Sequence, residues 1–342
     1  MSKSNEVNNS HASSSDSDKS HTSETNLNNL SKQKNLSNKT NPTTKNRSFY
    51  SRIFPLIGMI IGIMAMFGSM ISAVVFYYGS STVKLIIISL LFYQYLFAKK
   101  SHAIRSFLLF FRTTDYFDEY KIIYEEELLK QKSLFVVHPH GICGVSFALL
   151  QGYCEMLYEN SIGLVSSVLI NLPISGILAK WMGASSVKQK NFEKLMSEDK
   201  NICFLPGGFE EATITNTNED RVYLSERKGF IKSALRYGYN LYPIYTFGEN
   251  KLYLTCNWFE KIRLLINRLK CPSAIFFGLF FFIPFYNVRL ITVVGPKLTL
   301  PQIAEPTNDD VNMYHKLYVE NLKALFNRNK KLYGGSEELI IY

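Results

Sequence analysis

Leu134-Phe-Val-Val-His-Pro-His-Gly-Ile-Cys143 is an apolar run that ends in a stiff polar corner. The run, residues 134–137, is bounded by Lys132-Ser133 before it and by His138-Pro139-His140-Gly141 after it. That pattern predicts a buried strand closed by a turn. Pro139 has no backbone N–H to donate and restricts His138 to extended geometry, while Gly141 permits a tight or left-handed turn. The corner therefore displays two imidazoles at a strand end. Two uses fit it: a structural one, with one ring on a nearby carbonyl and the other in water, and general acid–base catalysis.

Further strands are expected at residues 162–170, 202–205, 241–247 and 290–294, several of them too apolar to be half exposed. Helical patterns lie between them at 144–158, 176–181, 191–197 and 230–238. This alternation predicts an α/β domain with a mixed or mainly parallel sheet flanked by helices. Thr307-Asn-Asp-Asp310 reads as a capping box opening a helix, with Tyr314, Leu317, Tyr318, Leu322 and Leu325 on one face.

Upstream the composition changes. Residues 1–48 hold no aromatic side chain and are rich in Ser, Asn, Thr and Lys, so they are expected to be a disordered polar tail. They lack the apolar core of a secretory signal. Residues 53–78 carry no charge, and about 20 apolar residues suffice to cross a bilayer as a helix. Gly79-Ser80-Ser81-Thr82 breaks the run, and a second apolar stretch follows at 85–98. Arg47 and Arg52 flank one end of the pair and Lys99, Lys100 and Arg105 the other, which predicts a transmembrane hairpin with both ends cytosolic. The expected organisation is a tail (1–48), a hairpin (49–100) and a cytosol-facing catalytic domain (101–342). The Phe-rich run 276–283 is either a core segment or a membrane-dipping hairpin.

The net charge of +10 comes without a nucleic-acid motif and with its bases dispersed, so an anionic membrane surface or anionic cosubstrate suits it better than nucleic acid. Cys143, Cys154, Cys203, Cys256 and Cys271 form no C-x-x-C pair, which points to reduced thiols. His11, His21, His102 and His315 lie apart from the central pair, so no metal site is expected.

A second corner, Phe204-Leu-Pro-Gly-Gly-Phe-Glu-Glu-Ala212, follows another strand. Gly207 and Gly208 would let the backbone approach a ligand and aim N–H groups at an oxyanion, with Glu210 and Glu211 just behind. Neither a phosphate loop nor a dinucleotide fingerprint is present. A third block, Glu226-Arg-Lys-Gly-Phe230, puts Arg227 and Lys228 at a helix start, where they would meet phosphates or simply water.

Taken in order, His-Pro-His-Gly at 138–141, Pro-Gly-Gly-Phe-Glu-Glu at 206–211, Arg-Lys-Gly-Phe at 227–230, Phe-Gly-Glu-Asn at 247–250 and Thr-Val-Val-Gly at 292–295 are far more specific than any one of them. The chain resembles the type-2 diacylglycerol acyltransferases, whose relatives include monoacylglycerol acyltransferases and wax synthases. The resemblance runs from about the hairpin to near the C-terminus. It implies a multi-pass endoplasmic-reticulum enzyme, with the lipid droplet surface as a second location, that transfers a fatty acyl group from acyl-CoA to diacylglycerol. Acyl-CoA is then a cosubstrate and no cofactor is required; a homo-oligomer stays open. The active-site histidine comes, by the same resemblance, from the 138–141 block, and Glu211 matches the family glutamate. Two positions depart from the pattern. Asp118 stands where the family often has Pro, and Ser175-Gly176 where the animal enzymes have Arg-Glu; both are expected to tune the acceptor pocket. The mechanism expected is direct transfer, with His140 as base in preference to His138 because it lies deeper in the turn, Glu211 orienting it, and Gly207 and Gly208 as oxyanion donors. Cys143 offers an acyl-enzyme alternative. Monoacylglycerol or a long-chain alcohol is the alternative acceptor, and a non-catalytic lipid-binding membrane protein is the reading these ordered blocks make least apt.

Overall fold

The structure, a computed structural model, describes residues 49–267 and 273–342, all within one unit spanning Thr44–Tyr342. The polar tail and Cys271 lie outside the described residues. The strands in chain order are β1 (Glu119–Tyr124), β2 (Ser133–His138), β3 (Ser161–Val165), β4 (Ser185–Ser186), β5 (Asn201–Phe204), β6 (Asp220–Val222), β7 (Asn240–Phe247), β8 (Leu254–Cys256), β9 (Ile275–Phe277), β10 (Arg289–Val294), β11 (Leu298–Thr299) and β12 (Leu339–Ile341). The main sheet runs β1-β10-β7-β2-β5-β3-β4, with β11 added against β7. Every neighbour pair along that path is parallel except β10 against β7. The mixed sheet flanked by helices is thus the architecture expected.

β2 sits at the centre, between β7 and β5, and all six of its residues are buried. Side chains alternate across a sheet, so Leu134, Val136 and His138 share one face and Phe135 and Val137 the other. Leu134 and Val136 pack with Tyr318, Leu322 and Phe326 of the long C-terminal helix Asn308–Tyr333. Phe135 and Val137 pack with Phe147 and Leu150 of the helix Val145–Tyr153. Burial on both faces explains why the strand reads as an unbroken apolar run.

Several boundaries move. Residues 166–170 are not strand: Ser166 accepts the N–H of Val168 and opens a short helix, Ser167–Asn171. The helix expected over 144–158 divides at Cys154, which takes extended backbone and sets its thiol 3.1 Å from the Tyr124 hydroxyl. The Thr307–Asp310 capping box forms with both reciprocal bonds. Leu317, however, is exposed, because the buried stripe follows Val311, His315, Tyr318, Leu322 and Leu325.

Toward the N-terminus, Ile53–Tyr78 is one helix of 26 residues, and Ser81–Leu96 a second of 16 after a short turn. One helix among the described residues is long and apolar enough to cross a membrane by length and composition. Its first half packs on the body: Met59 and Ile63 join Tyr116, Phe117, Leu149 and Leu290 in one cluster, while the end of the helix from Val74 onward is exposed. Arg52, expected as a flanking surface cation, is instead buried. It bonds the Tyr116 carbonyl at 2.7 Å and pairs with Asp118 at 2.7 Å. The unusual Asp118 therefore anchors the helix. Ser175 and Gly176 likewise serve packing: the Ser69 hydroxyl accepts the Ser175 N–H at 2.7 Å, and a Cβ on Gly176 would lie 2.4 Å from the Gln94 amide nitrogen.

Phe326 touches the rings of Tyr245 and Phe247 in this core, at centroid distances of 5.1 and 5.5 Å. Phe326→Ala is expected to cost about 3–5 kcal/mol. Thermal unfolding of the purified protein in detergent checks this as a drop of several degrees in Tm.

Candidate active site

His138 ends β2 on the face of the C-terminal helix and is fully buried. Its Nε2 lies 3.1 Å from the Tyr318 hydroxyl, and its Nδ1 has no hydrogen-bond partner among the described residues. Burial pushes its pKa down to about 3, so the ring stays neutral. The chain then turns through Pro139, and His140 comes out half-buried.

The His140 ring is set by its neighbour. The Gly141 carbonyl only accepts, so Nδ1–H must donate to it across 2.9 Å, which leaves a lone pair on Nε2. Burial lowers the pKa of His140 below the ordinary imidazole value; the Gly141 bond and the charge of Glu210 pull the other way. A neutral imidazole with a free Nε2 is the form that accepts a proton.

Two buried carboxyl groups hold the turn. Glu211, on the helix Gly208–Ile214, accepts the backbone N–H of His140 at 2.5 Å and that of Tyr223 at 2.9 Å. The expected orienting contact from Glu211 to an imidazole is therefore not made: both oxygens go to backbone N–H groups. Burial pushes its pKa up to about 7, against the two N–H bonds and Arg227. Gly207 leaves room for this group, since a Cβ there would lie 2.0 Å from Glu211 Oε2.

The second carboxyl group, Glu249, was not among the residues singled out by sequence reasoning. It follows β7 in the Phe-Gly-Glu-Asn block and accepts the N–H groups of Val145 and Ser146, at 3.1 and 2.9 Å. It thus caps the helix that begins after the histidine turn. Burial pushes its pKa up to about 7, and those N–H bonds oppose the shift. Gly141, at φ +61°, passes so close that a Cβ would meet Glu249 Oε1 at 2.4 Å. The only sequence signal was the block itself, because a carboxylate bonded to backbone leaves no partner to spot.

The remaining candidates sit nearby with partners already. Arg227 pairs with Glu210 at 2.5 Å and reaches the Gly207 carbonyl at 3.3 Å. Lys228 donates to Asn312 at 2.7 Å. Gly208 adopts φ +63° at the start of the Glu211 helix. Cys143 is half-buried, and burial pushes its thiol up to about 12, opposed by a bond from Tyr253; the neutral thiol is a poor nucleophile. Among the described residues no group of His, Cys, Asp and Glu has the make-up of a metal site. Ile142 and Cys143 pack against the cluster that contains Met59 and Ile63, so the turn borders the long apolar helix.

Residues 73–341 match the family model described as diacylglycerol acyltransferase. Diacylglycerol O-acyltransferase 2 of Dictyostelium discoideum is 29% identical over 253 residues, covering 68% of this chain and 77% of the relative. The Danio rerio protein of that name is 29% identical over 268 residues (71% and 74%), and the Homo sapiens one 26% over 274 residues (71% and 68%). A solved structure, the 1-acyl-sn-glycerophosphate (LPA) acyltransferase PlsC from Thermotoga maritima, superposes with a TM-score of 0.42 at 11% identity, covering 80% of this chain and 98% of that one. The sequence matches make this protein an acyltransferase. The chain belongs to the diacylglycerol acyltransferase family.

Gly141→Ala tests the packing of the turn on Glu249. Its Cβ meets the carboxyl group and needs a backbone conformation that alanine resists, so acyl transfer is expected to fall at least tenfold. Acylation assays on membranes normalised for protein amount check this.

Proposed function

We propose that this protein transfers a fatty acyl group from acyl-CoA to the free hydroxyl of diacylglycerol, forming triacylglycerol, with His140 as general base. The observation that supports His140 over His138 is the free Nε2 of a half-buried ring beside a fully buried one engaged by Tyr318. The acceptor oxygen attacks the thioester carbonyl as Nε2 takes its proton. The tetrahedral intermediate then expels the coenzyme A thiolate, which recovers that proton, leaving ester, free thiol and neutral imidazole. Glu211 and Glu249 act through the backbone, keeping the turn rigid while the proton moves. No cofactor enters this scheme.

In the same reading Gly207 and Gly208 offer N–H groups to the oxyanion. Arg227 and Lys228 exchange their present partners for acyl-CoA phosphates. The apolar helix Ile53–Tyr78 and its neighbour Ser81–Leu96 form a membrane hairpin with both termini of the chain cytosolic, in the endoplasmic reticulum or at lipid droplets. Acyl-CoA, which carries phosphates, arrives from the cytosol, and diacylglycerol arrives sideways through the lipid. Membranes given labelled acyl-CoA and a panel of diacylglycerol, monoacylglycerol and fatty alcohol are expected to yield triacylglycerol as the main product; a wax ester or diacylglycerol in its place overturns the acceptor.

His140→Ala is expected to lower turnover by roughly two to four orders of magnitude with unchanged membrane accumulation, and His138→Ala to do less. A dead His138→Ala beside an active His140→Ala reverses the assignment. The pH dependence follows from the base being active when neutral. With the His140 pKa lowered from 6.5, the rate rises about tenfold per pH unit on an acid limb whose midpoint lies below the ordinary imidazole value, and levels off above it. Initial rates across a buffer series check this.

A further inference from the structure

The helix Glu260–Asn267 has its polarity reversed. A surface helix in water buries apolar residues and exposes polar ones. Here Arg263 and Asn267 are buried, while Ile262, Leu265 and Ile266 face outward. Both buried side chains hydrogen-bond inward, with Arg263 Nη2 alone of their polar atoms lacking a partner among the described residues. Arg263 donates to the Trp258 carbonyl at 2.8 Å, and Asn267 donates to the Phe209 carbonyl at 3.2 Å and to the Thr213 hydroxyl at 2.7 Å. The outward orientation is therefore set by hydrogen bonds and is not a loose end. Just before the helix, Trp258 is 75% exposed with Phe259 beside it.

A second exposed apolar element lies at the other end of the β8–β9 pair, whose Leu254, Ile275 and Phe277 are exposed between the two. The turn after β9 carries Phe280 and Phe281 at φ +48° and +74°, a left-handed conformation seldom taken by bulky residues, and Phe280 is 85% exposed. This turn touches the long apolar helix: Phe282 lies 4.6 Å from Phe67 between ring centroids, and Phe276 of β9 lies 6.3 Å from it. Ile53, Leu56, Leu279, Phe280 and Ile283 also share one small apolar cavity of about 60 Å³. The aromatic turn is thus continuous with the helix read above as a membrane span.

We propose that the outward face of Glu260–Asn267, with Trp258 and the 280–282 turn, docks into the interfacial layer of a phospholipid bilayer as a second membrane contact beside the span. An interfacial element of this kind sinks about 5–10 Å into the headgroup and acyl boundary, with aromatic side chains at the polar edge. Exposed Lys261 lies on this element, placed for lipid phosphates. The contact has a route to the site. Arg263 and Asn267 bond Thr213, which shares the helix Gly208–Ile214 with Glu211, and Glu211 holds the His140 N–H. The membrane surface is therefore two hydrogen-bonded steps from the histidine turn. The proposal rests on the reading of Ile53–Tyr78 as a span.

The sequence contains two tryptophans, so Trp181→Phe leaves Trp258 as the only indole in the full-length protein. This variant is reconstituted into phosphatidylcholine vesicles, with or without bromine in the upper half of the acyl chains. The expected result is a blue-shifted Trp258 emission, quenched by more than half by the brominated lipid and shielded from aqueous acrylamide. Replacing Phe280 and Phe281 by serine is expected to weaken the lipid quenching. Trp258 open to acrylamide and untouched by brominated lipid overturns the proposal. Shielding from both quenchers also overturns it, since a second copy of the chain then covers the face. Alkaline carbonate extraction separates the two readings: release of the protein from the vesicles refutes the span, whereas retention together with a water-exposed Trp258 refutes the docking face alone.

Discussion

Two buried carboxyl groups, bonded to backbone and not to side chains, hold the histidine turn from opposite sides. Glu211 takes the N–H of His140 and Glu249 the first free N–H groups of the next helix. Buried carboxyl groups are costly unless their oxygens are satisfied, so each fixes the backbone that satisfies it. The close glycines follow from this arrangement. Gly207 and Gly141 occupy places where any Cβ would strike one of the two carboxyl groups. The spacing of glycine and glutamate in three separate blocks is thus one packing solution distributed along the chain.

The architecture was readable because the central strands are buried on both faces, and burial writes itself as continuous apolar sequence. Residues 134–137 and 241–247 are the clearest cases. The histidine corner was readable because proline and glycine mark a turn by their own geometry. What escaped was everything specified by long-range partners. The Arg52–Asp118 pair spans 66 positions, and each residue alone looks like ordinary surface charge. Glu249 escaped for a related reason: its partners are N–H groups, which every residue except proline has.

The apolar helices show a different limit of pattern reading. Length and composition give the 53–78 helix at once, yet it is packed on the body as far as Ser69 and only its end from Val74 stands free. The same composition served two environments. The helix Glu260–Asn267 is the converse case: its apolar residues form a regular stripe, but the stripe faces away from the protein because Arg263 and Asn267 claim the inner side.

The Arg52 clamp also bears on bilayer thickness. It sits at the very start of the long helix and is held by the Tyr116 carbonyl and Asp118 beside the first strand. If that helix spans a membrane, it cannot slide along its own axis relative to the body when the surrounding lipid thickens or thins. Hydrophobic mismatch is then absorbed by tilt, at a modest cost per ångström. Tilting carries the whole sheet with it and changes the angle at which the histidine turn meets the lipid surface. A protein anchored in that way would respond to how thick the surrounding membrane has become.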